Sequence, residues 1–408
     1  MGIGSRIGSG ASRLRSRAAA SFRVRSRYAR HDRPLRFPTS RYGKIRRLER
    51  RRCRSTRRLR RDRSMSELAD SFPHLADLPS TLDDTVVGTP DRRPGSVRRT
   101  STIDMVWPDG FGSPMHLVGR SRDLSTPVDG PACVIDEAGM RVEMAEHRTV
   151  SAIEVSPHRD GADGLIGAVG GSELRSAIDR ALPRERETAS PLHLLLDDIA
   201  GTSLVASFAL SRSPEIRELM LANRPGPGAP FGMRKGKIIC SGLRPDGWFD
   251  THQQNGVPPF GSGVVPAGDI EAPQDALAWH AFPSAPDVGM RRHRRIDLWR
   301  EGGVVCVDAF FRDACWEPDG SQSCLHEYTT DAKIDAGDHT LVSLESTPRV
   351  LPFPECKWAA PNSQDLIGLP VTEFRTIVQQ TLTELRACTH LNDMLRSFAE
   401  IPALAKRL

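Results

Sequence analysis

No apolar run in this chain approaches the length needed to cross a bilayer, and no basic segment leads into an apolar one as in a secretory leader. A membrane partner is therefore not expected, and a cytoplasmic location is. Cysteine is scarce, with eight residues in 408 and no C-x-x-C pair. That pattern suits reduced thiols better than a disulfide framework. There is no Walker loop, no G-x-S-x-G elbow and no H-E-x-x-H, and Gly110-Phe111-Gly112 is not completed to G-x-G-x-x-G. The common nucleotide-cradle, serine-hydrolase and zinc-protease signatures are thereby excluded.

What is present suffices for real cores: 38% of residues are hydrophobic, and the length suits two to three domains. The formal charge of +6 hides a division. Residues 1–64 hold 22 Arg and one Lys against Asp32, Glu49 and Asp62, a net +20, which leaves −14 for the remaining 344 residues. An Arg-rich segment of this kind can bind nucleic acid by releasing phosphate counterions, or can resemble a transit peptide. It lacks apolar periodicity, however, and Met65-Ser66-Glu67-Leu68 reads as the ordinary start of an acidic protein. The expectation is an over-extended gene start, with nucleic acid a partner only if residues 1–64 are real.

Residues 65–97 read as a loosely ordered leader. From Arg98 onward, runs of period-two patterning separated by turn residues argue for an antiparallel meander: Arg98–Asp104, Leu117–Asp123, Ala132–Asp136 and Arg148–Glu154. A helical pattern follows at Leu174, Ala177, Ile178, Ala181 and Leu182, then Pro191-Leu192-His193-Leu194. The same order returns about two hundred residues later. Arg291–Asp297 answers Arg98–Asp104, Phe311-Arg312-Asp313 answers Ser121-Arg122-Asp123, and Thr340–Glu345 answers Thr149–Glu154; Leu366-Ile367-Gly368 answers Leu165-Ile166-Gly167, and His390-Leu391 answers His193-Leu194. The fold class expected is α+β: a tandem duplication of a small antiparallel sheet followed by two helices, packed about a pseudo-two-fold. The first copy spans 98–210 and the second 291–408. Residues 211–290 form a Pro/Gly-rich connection that could serve as a lid, with a short strand possible at Lys237–Cys240.

The second copy ends in two amphipathic helices. Phe374, Ile377, Val378, Thr381, Leu382 and Leu385 mark the first, and Leu391, Met394, Leu395 and Phe398 the second, with Pro370 before and Pro402 after. Thr389 can cap the second helix, which would put Cys388 and His390 at an end that favours a thiolate. Equally, Cys388 can be a small buried apolar residue and His390 a capping side chain.

Features found only in the second copy invite a functional reading: His326-Glu327 opposite Ile135-Asp136, Cys388 opposite Pro191, and an inserted Leu351–Cys356 segment. His326, Cys356, Cys388 and His390 form a ligand mix suited to zinc or another transition metal. The same residues, with Glu327, can instead act without metal, Cys388 as nucleophile and His326 or His390 as base. Positions shared by both copies, such as Arg-Asp, are assigned to packing. Cys240-Ser241-Gly242 reads as a turn bearing a thiol, and Arg291–Arg295 as a solvated basic face or an anion holder.

The segments Arg292-His293-Arg294-Arg295-Ile296, Phe311-Arg312-Asp313, His326-Glu327, Pro354-Glu355-Cys356, Leu366–Leu369 and Cys388–Leu391 resemble the motif series of an uncharacterised bacterial family, domain of unknown function 2889, over about residues 291–403. Family members usually carry Gly where this chain has Ala387, and often His-Asp where it has His326-Glu327. The order of carboxylate, cysteine, then cysteine with histidine also resembles iron-sulfur scaffold proteins, in arrangement and not in sequence. The expected function is an enzyme of small-molecule catabolism acting on a carbonyl or acyl substrate through a Cys/His site; the alternative is a non-catalytic ligand-binding or accessory module with structural thiols. The intact mass of the native protein should correspond to a chain beginning at Met65, and a mass beginning at Met1 would restore the nucleic-acid reading.

Overall fold

Nine antiparallel strands form a single continuous sheet in the computed structural model, which describes residues 84–110, 112–222, 238–254, 263–284 and 288–408. The expectations for residues 1–64, and for 65–83 of the leader, lie outside the described residues. The strands are β1 Ser96–Val106, β2 Met115–Thr126, β3 Cys133–Ala145, β4 Thr149–Ser156, β5 Val265–Pro266, β6 Gly289–Glu301, β7 Val304–Trp316, β8 Gln322–Asp335 and β9 Leu341–Val350. Their order is β4-β3-β2-β1-β6-β7-β8, with β5 and β9 both pairing β8. The principal helices are α1 Ser172–Ala181, α2 Pro191–Val205, α3 Trp248–Gln254, α4 Phe374–Thr381 and α5 Thr389–Arg396. The protein is α+β. Instead of two separate small sheets, the two meanders meet edge to edge through β1 and β6.

The register at that junction follows the sequence correspondence. Ser101 lies opposite Arg294, Arg98 opposite Asp297 and Arg291 opposite Asp104. Each Arg of one strand therefore reaches the Asp of the other: Arg98 Nε donates to Asp297 Oδ1 at 2.6 Å, and Arg291 makes the reciprocal pair with Asp104. Both halves also carry a bulge at the same place, after Asp123 in β2 and after Asp313 in β7. This register sets His326 in the position of Asp136 and Glu327 in that of Glu137, one residue away from the alignment expected by sequence. The bulge is common to both halves, leaving one unpaired residue in β3 and one in β8, and so it preserves this correspondence.

Arg99, Arg292 and Arg294 are each no more than 2% exposed, although they sit in the two central strands. The run Arg291–Arg295 is thus not a solvated face; its arginines hold carboxylates of the protein itself. Arg292 forks onto Asp313 (2.8 and 3.0 Å), just as Arg99 forks onto Asp123 (both 2.6 Å). Above them the helices supply the remaining partners. Arg294 meets Asp198 of α2 at 2.5 Å, Arg175 of α1 meets Asp393 of α5 at 2.6 Å, and Arg375 of α4 meets Asp197 of α2 at 2.6 Å. Arg396 also reaches Asp197, and Glu400 receives both Arg99 and Arg375. Gly201 of α2 makes room for this lattice, because a Cβ there would collide with Asp393 Oδ2 and Arg292 Nη1.

Two apolar clusters flank the lattice. One gathers Leu117, Val142, Leu174, Ile178, Leu195 and Ile199; the other gathers Val307, Phe311, Tyr328, Phe374, Val378 and Leu395. Val97 of β1 packs into the second cluster and Met290 of β6 into the first, so the halves interlock. Contrary to expectation, one helical stretch, Pro191–Leu210, is long and apolar enough to span a bilayer by length and composition. It is mostly buried in the core and holds Asp197 and Asp198 of the lattice.

The opposite sheet face is covered by the chain before β1 and by 263–284. Gly88 N–H donates to Asp269 O at 2.6 Å, Trp279 Nε1–H donates to Thr89 Oγ1 at 2.8 Å, and His280 bridges Thr100 and Thr102. The described end of the leader is therefore tied down. Ile238–Cys240 is not a strand and runs into a short 3-10 turn at Ser241–Leu243.

Removing one partner of a buried pair strands a charge, which costs about 3–5 kcal/mol. Asp104→Ala should lose about that much stability in urea denaturation, while the exposed Asp109→Ala stays within about 0.5 kcal/mol of the wild type.

Candidate functional site

Alternation along β7 and β8 sorts the candidate residues onto two faces. Asp313 and His326 are direct cross-strand partners on the helix-covered face, and Tyr328 follows on the same face two residues later. Arg312 and Glu327 point to the other side. There Glu327 accepts Arg312 Nε at 2.5 Å and the Val86 N–H at 2.6 Å. Glu327 thus fastens the leader to the sheet and is kept apart from the histidines.

The first turn of α5 brings His390 onto His326, with ring centroids 3.5 Å apart and planes 22° from parallel. Asp313 Oδ2 lies 3.7 Å from His326 Nδ1 and 3.6 Å from His390 Nε2. Among the described residues, Asp313, His326 and His390 form the one group of three or more His, Cys, Asp or Glu whose donor atoms all lie within 4.8 Å of one another. Burial pushes both imidazoles well below the ordinary histidine pKa; Arg292 adds to this for both, with His390 itself contributing at His326 and Arg294 at His390. Both rings are therefore neutral near pH 7 and keep a lone pair for a ligand. Asp313 retains free lone pairs while held by Arg292, because a carboxylate has about four acceptor positions.

The thiols lie on the other side of His390, whose Nδ1 is 3.9 Å from Cys388 Sγ and 3.4 Å from Thr389 Oγ1. Cys388, and not Thr389, is the N-cap of α5: its backbone is extended and its carbonyl accepts the Asn392 N–H at 2.8 Å. The helix ends at Arg396, and Pro402 lies in the first turn of the later helix Ile401–Leu404. Burial pushes the Cys388 thiol up, against the lowering effect of Tyr328 and of the Leu391 and His390 N–H groups. An activated thiolate was one of two expectations for this position, a small buried residue the other; desolvation outweighs the helix end.

Cys356 sits in the inserted turn Pro354–Trp358, within electrostatic reach of the thiols of Cys240 and Cys388. The expected ligand set His326, Cys356, Cys388 and His390 is therefore spread to both sides of His390, with His326 and Asp313 at its Nε2 side and Cys388 at its Nδ1, while Cys356 stands within electrostatic reach of Cys388 and Cys240. Asp313 escapes sequence reasoning because both halves carry it and its bond to arginine is structural in both. Cys240 escapes because nothing local ties it to residues more than a hundred positions away.

Together these features define an α+β protein whose C-terminal half gathers buried Asp, His and Cys side chains. Residues 290–403, which run from β6 past α5, match the model of a family described as "Protein of unknown function (DUF2889)". No curated protein and no solved structure matches the chain.

Unfolded histidine takes up a proton near its ordinary value of 6.5, whereas His326 and His390 in the fold resist protonation well below it. Their contribution to stability is present above pH 6.5 and is lost as pH falls below it, by about 1.4 kcal/mol per pH unit for each ring. His326→Asn should flatten the pH dependence of the unfolding free energy between pH 6.5 and 5 by about one proton.

Proposed function

We propose that the C-terminal half binds one divalent transition-metal ion through Asp313, His326 and His390, and that the ion serves catalysis on a carbonyl or acyl substrate. The convergence of a carboxylate and two neutral imidazoles carries this reading. Two histidines and one carboxylate are a donor set used by zinc and by non-haem iron, and three protein donors leave positions for water or substrate. A bound ion would polarise a carbonyl oxygen or acidify a water. His390 is 12% exposed at its side chain, which gives the site a side open to solvent. In this reading Cys388 is not the nucleophile, and the metal-free alternative, with His326 or His390 as its base, is set aside, because burial pushes the thiol up.

The competing reading is an accessory module, favoured by one observation: all three nearby thiols are pushed up by burial. The near-identical register and bulges of the two halves support descent from one duplicated unit, of which only the later half carries the histidine pair. The free state of the seven cysteines among the described residues is compatible with a cytoplasmic setting.

Protein purified without a histidine tag should hold zinc or iron by elemental analysis and rebind it after chelation. His390→Gln or Asp313→Asn should weaken binding by more than the roughly 10–100-fold that loss of an outer-shell partner costs. Wild-type affinity in both variants, or no metal in the wild type, would favour the accessory module.

A further inference from the structure

Three of the seven described cysteines are brought into one neighbourhood although their positions in the chain are far apart. Cys240 enters from the connection between the halves, Cys356 from the inserted turn, and Cys388 from the start of α5. The meeting is built rather than incidental. Ser241 N–H donates to Ala387 O at 2.8 Å, which ties the residue after Cys240 to the residue before Cys388. The Ser241 hydroxyl donates to Cys356 O at 3.5 Å, and Gly242 packs so closely that a Cβ there would lie 2.5 Å from Cys356 Sγ.

Further along, α3 holds the connection in place. The Trp248 N–H donates to Glu355 Oε1 at 2.9 Å, and the Trp248 ring stacks on Phe353 at 5.3 Å. Each thiol lies within electrostatic reach of the other two. Tyr328 is 0% exposed, and its hydroxyl, otherwise without a hydrogen-bond partner, is directed at Cys388.

We propose that Cys240, Cys356 and Cys388, with His390 Nδ1 as fourth donor, form a second site for a thiophilic transition-metal ion. Three thiolates and an imidazole are a zinc-type donor set. The sulfurs stand wider apart than the Asp313/His326/His390 donors, and the ion draws them together as their protons are released. With both ions bound, His390 would bridge them as an imidazolate that has released its ring proton, its Nε2 facing Asp313 and its Nδ1 facing the thiols. The connection is thus a ligand-bearing strap, and ion binding pins it to the C-terminal half. The inference stands whether or not the Asp/His site holds an ion.

Cobalt(II) distinguishes the two sites, because only thiolate ligation produces intense sulfur-to-metal charge-transfer absorption. Full-length reduced protein, stripped of metal and titrated with cobalt(II), should develop that band and saturate at one equivalent of thiolate-bound ion. Cys240→Ser should abolish it, while the exposed Cys133→Ser and the Asp/His-site variant His326→Asn should keep it. Absence of the band in the wild type, or its survival in Cys240→Ser, overturns the proposal. Should Cys240→Ser fold poorly, X-ray absorption on zinc-saturated wild type decides: sulfur neighbours at about 2.3 Å support the site, and an all-nitrogen/oxygen shell rejects it.

Discussion

The buried ion pairs between arginines of β1 and β6 and carboxylates of their neighbours are what the rest of this protein rests on. Desolvating a guanidinium costs several kcal/mol, and only a well-placed carboxylate repays it. The pairs therefore dictate register: Arg98 must face Asp297, and Arg291 must face Asp104. A one-residue slip would throw every arginine onto the wrong face. Hydrophobic strands alone would not discriminate so sharply between registers, and the two meanders would have many ways to abut.

The same lattice prepares the site. Arg292 fixes Asp313, lowers the affinity of the two nearby imidazoles for protons, and packs over the Phe311 ring at 4.7 Å. Burial is the larger cause of that lowering, and it favours neutral imidazoles as it favours protonated thiols. Asp198, within the same lattice, shows the cost: despite Arg294 and Arg292, burial raises its pKa to about 6. The first half keeps the arginine–aspartate fork of Arg99 and Asp123 but offers Asp136 where the second offers His326. A shared framework thus presents a histidine beside the fork aspartate on β8 and an aspartate at the matching place on β3.

Much of the fold is readable from pattern. Alternation predicts the strands because one sheet face packs on helices, and the spacing of Phe374, Ile377 and Val378 predicts α4. The repeat of Arg-x5-Asp foreshadows the reciprocal pairs. The site is less legible. His326, Cys388 and His390 stand out as absent from the first half, but Glu327 stands out equally and lies on the wrong face. Asp313 hides among the shared residues, where a structural role and a ligand role look alike.

By itself the sequence determines the order of strands and helices and the recurrence of Arg-x5-Asp in β1 and β6, since these depend on local periodicity and residue chemistry. Tertiary structure decides the rest. It joins the halves into one sheet, buries the arginines instead of solvating them, sends Glu327 away from His326 and brings Cys240 to Cys356 and Cys388. These outcomes depend on long-range pairing and on the desolvation each side chain meets, and neither is written in any local stretch of the chain.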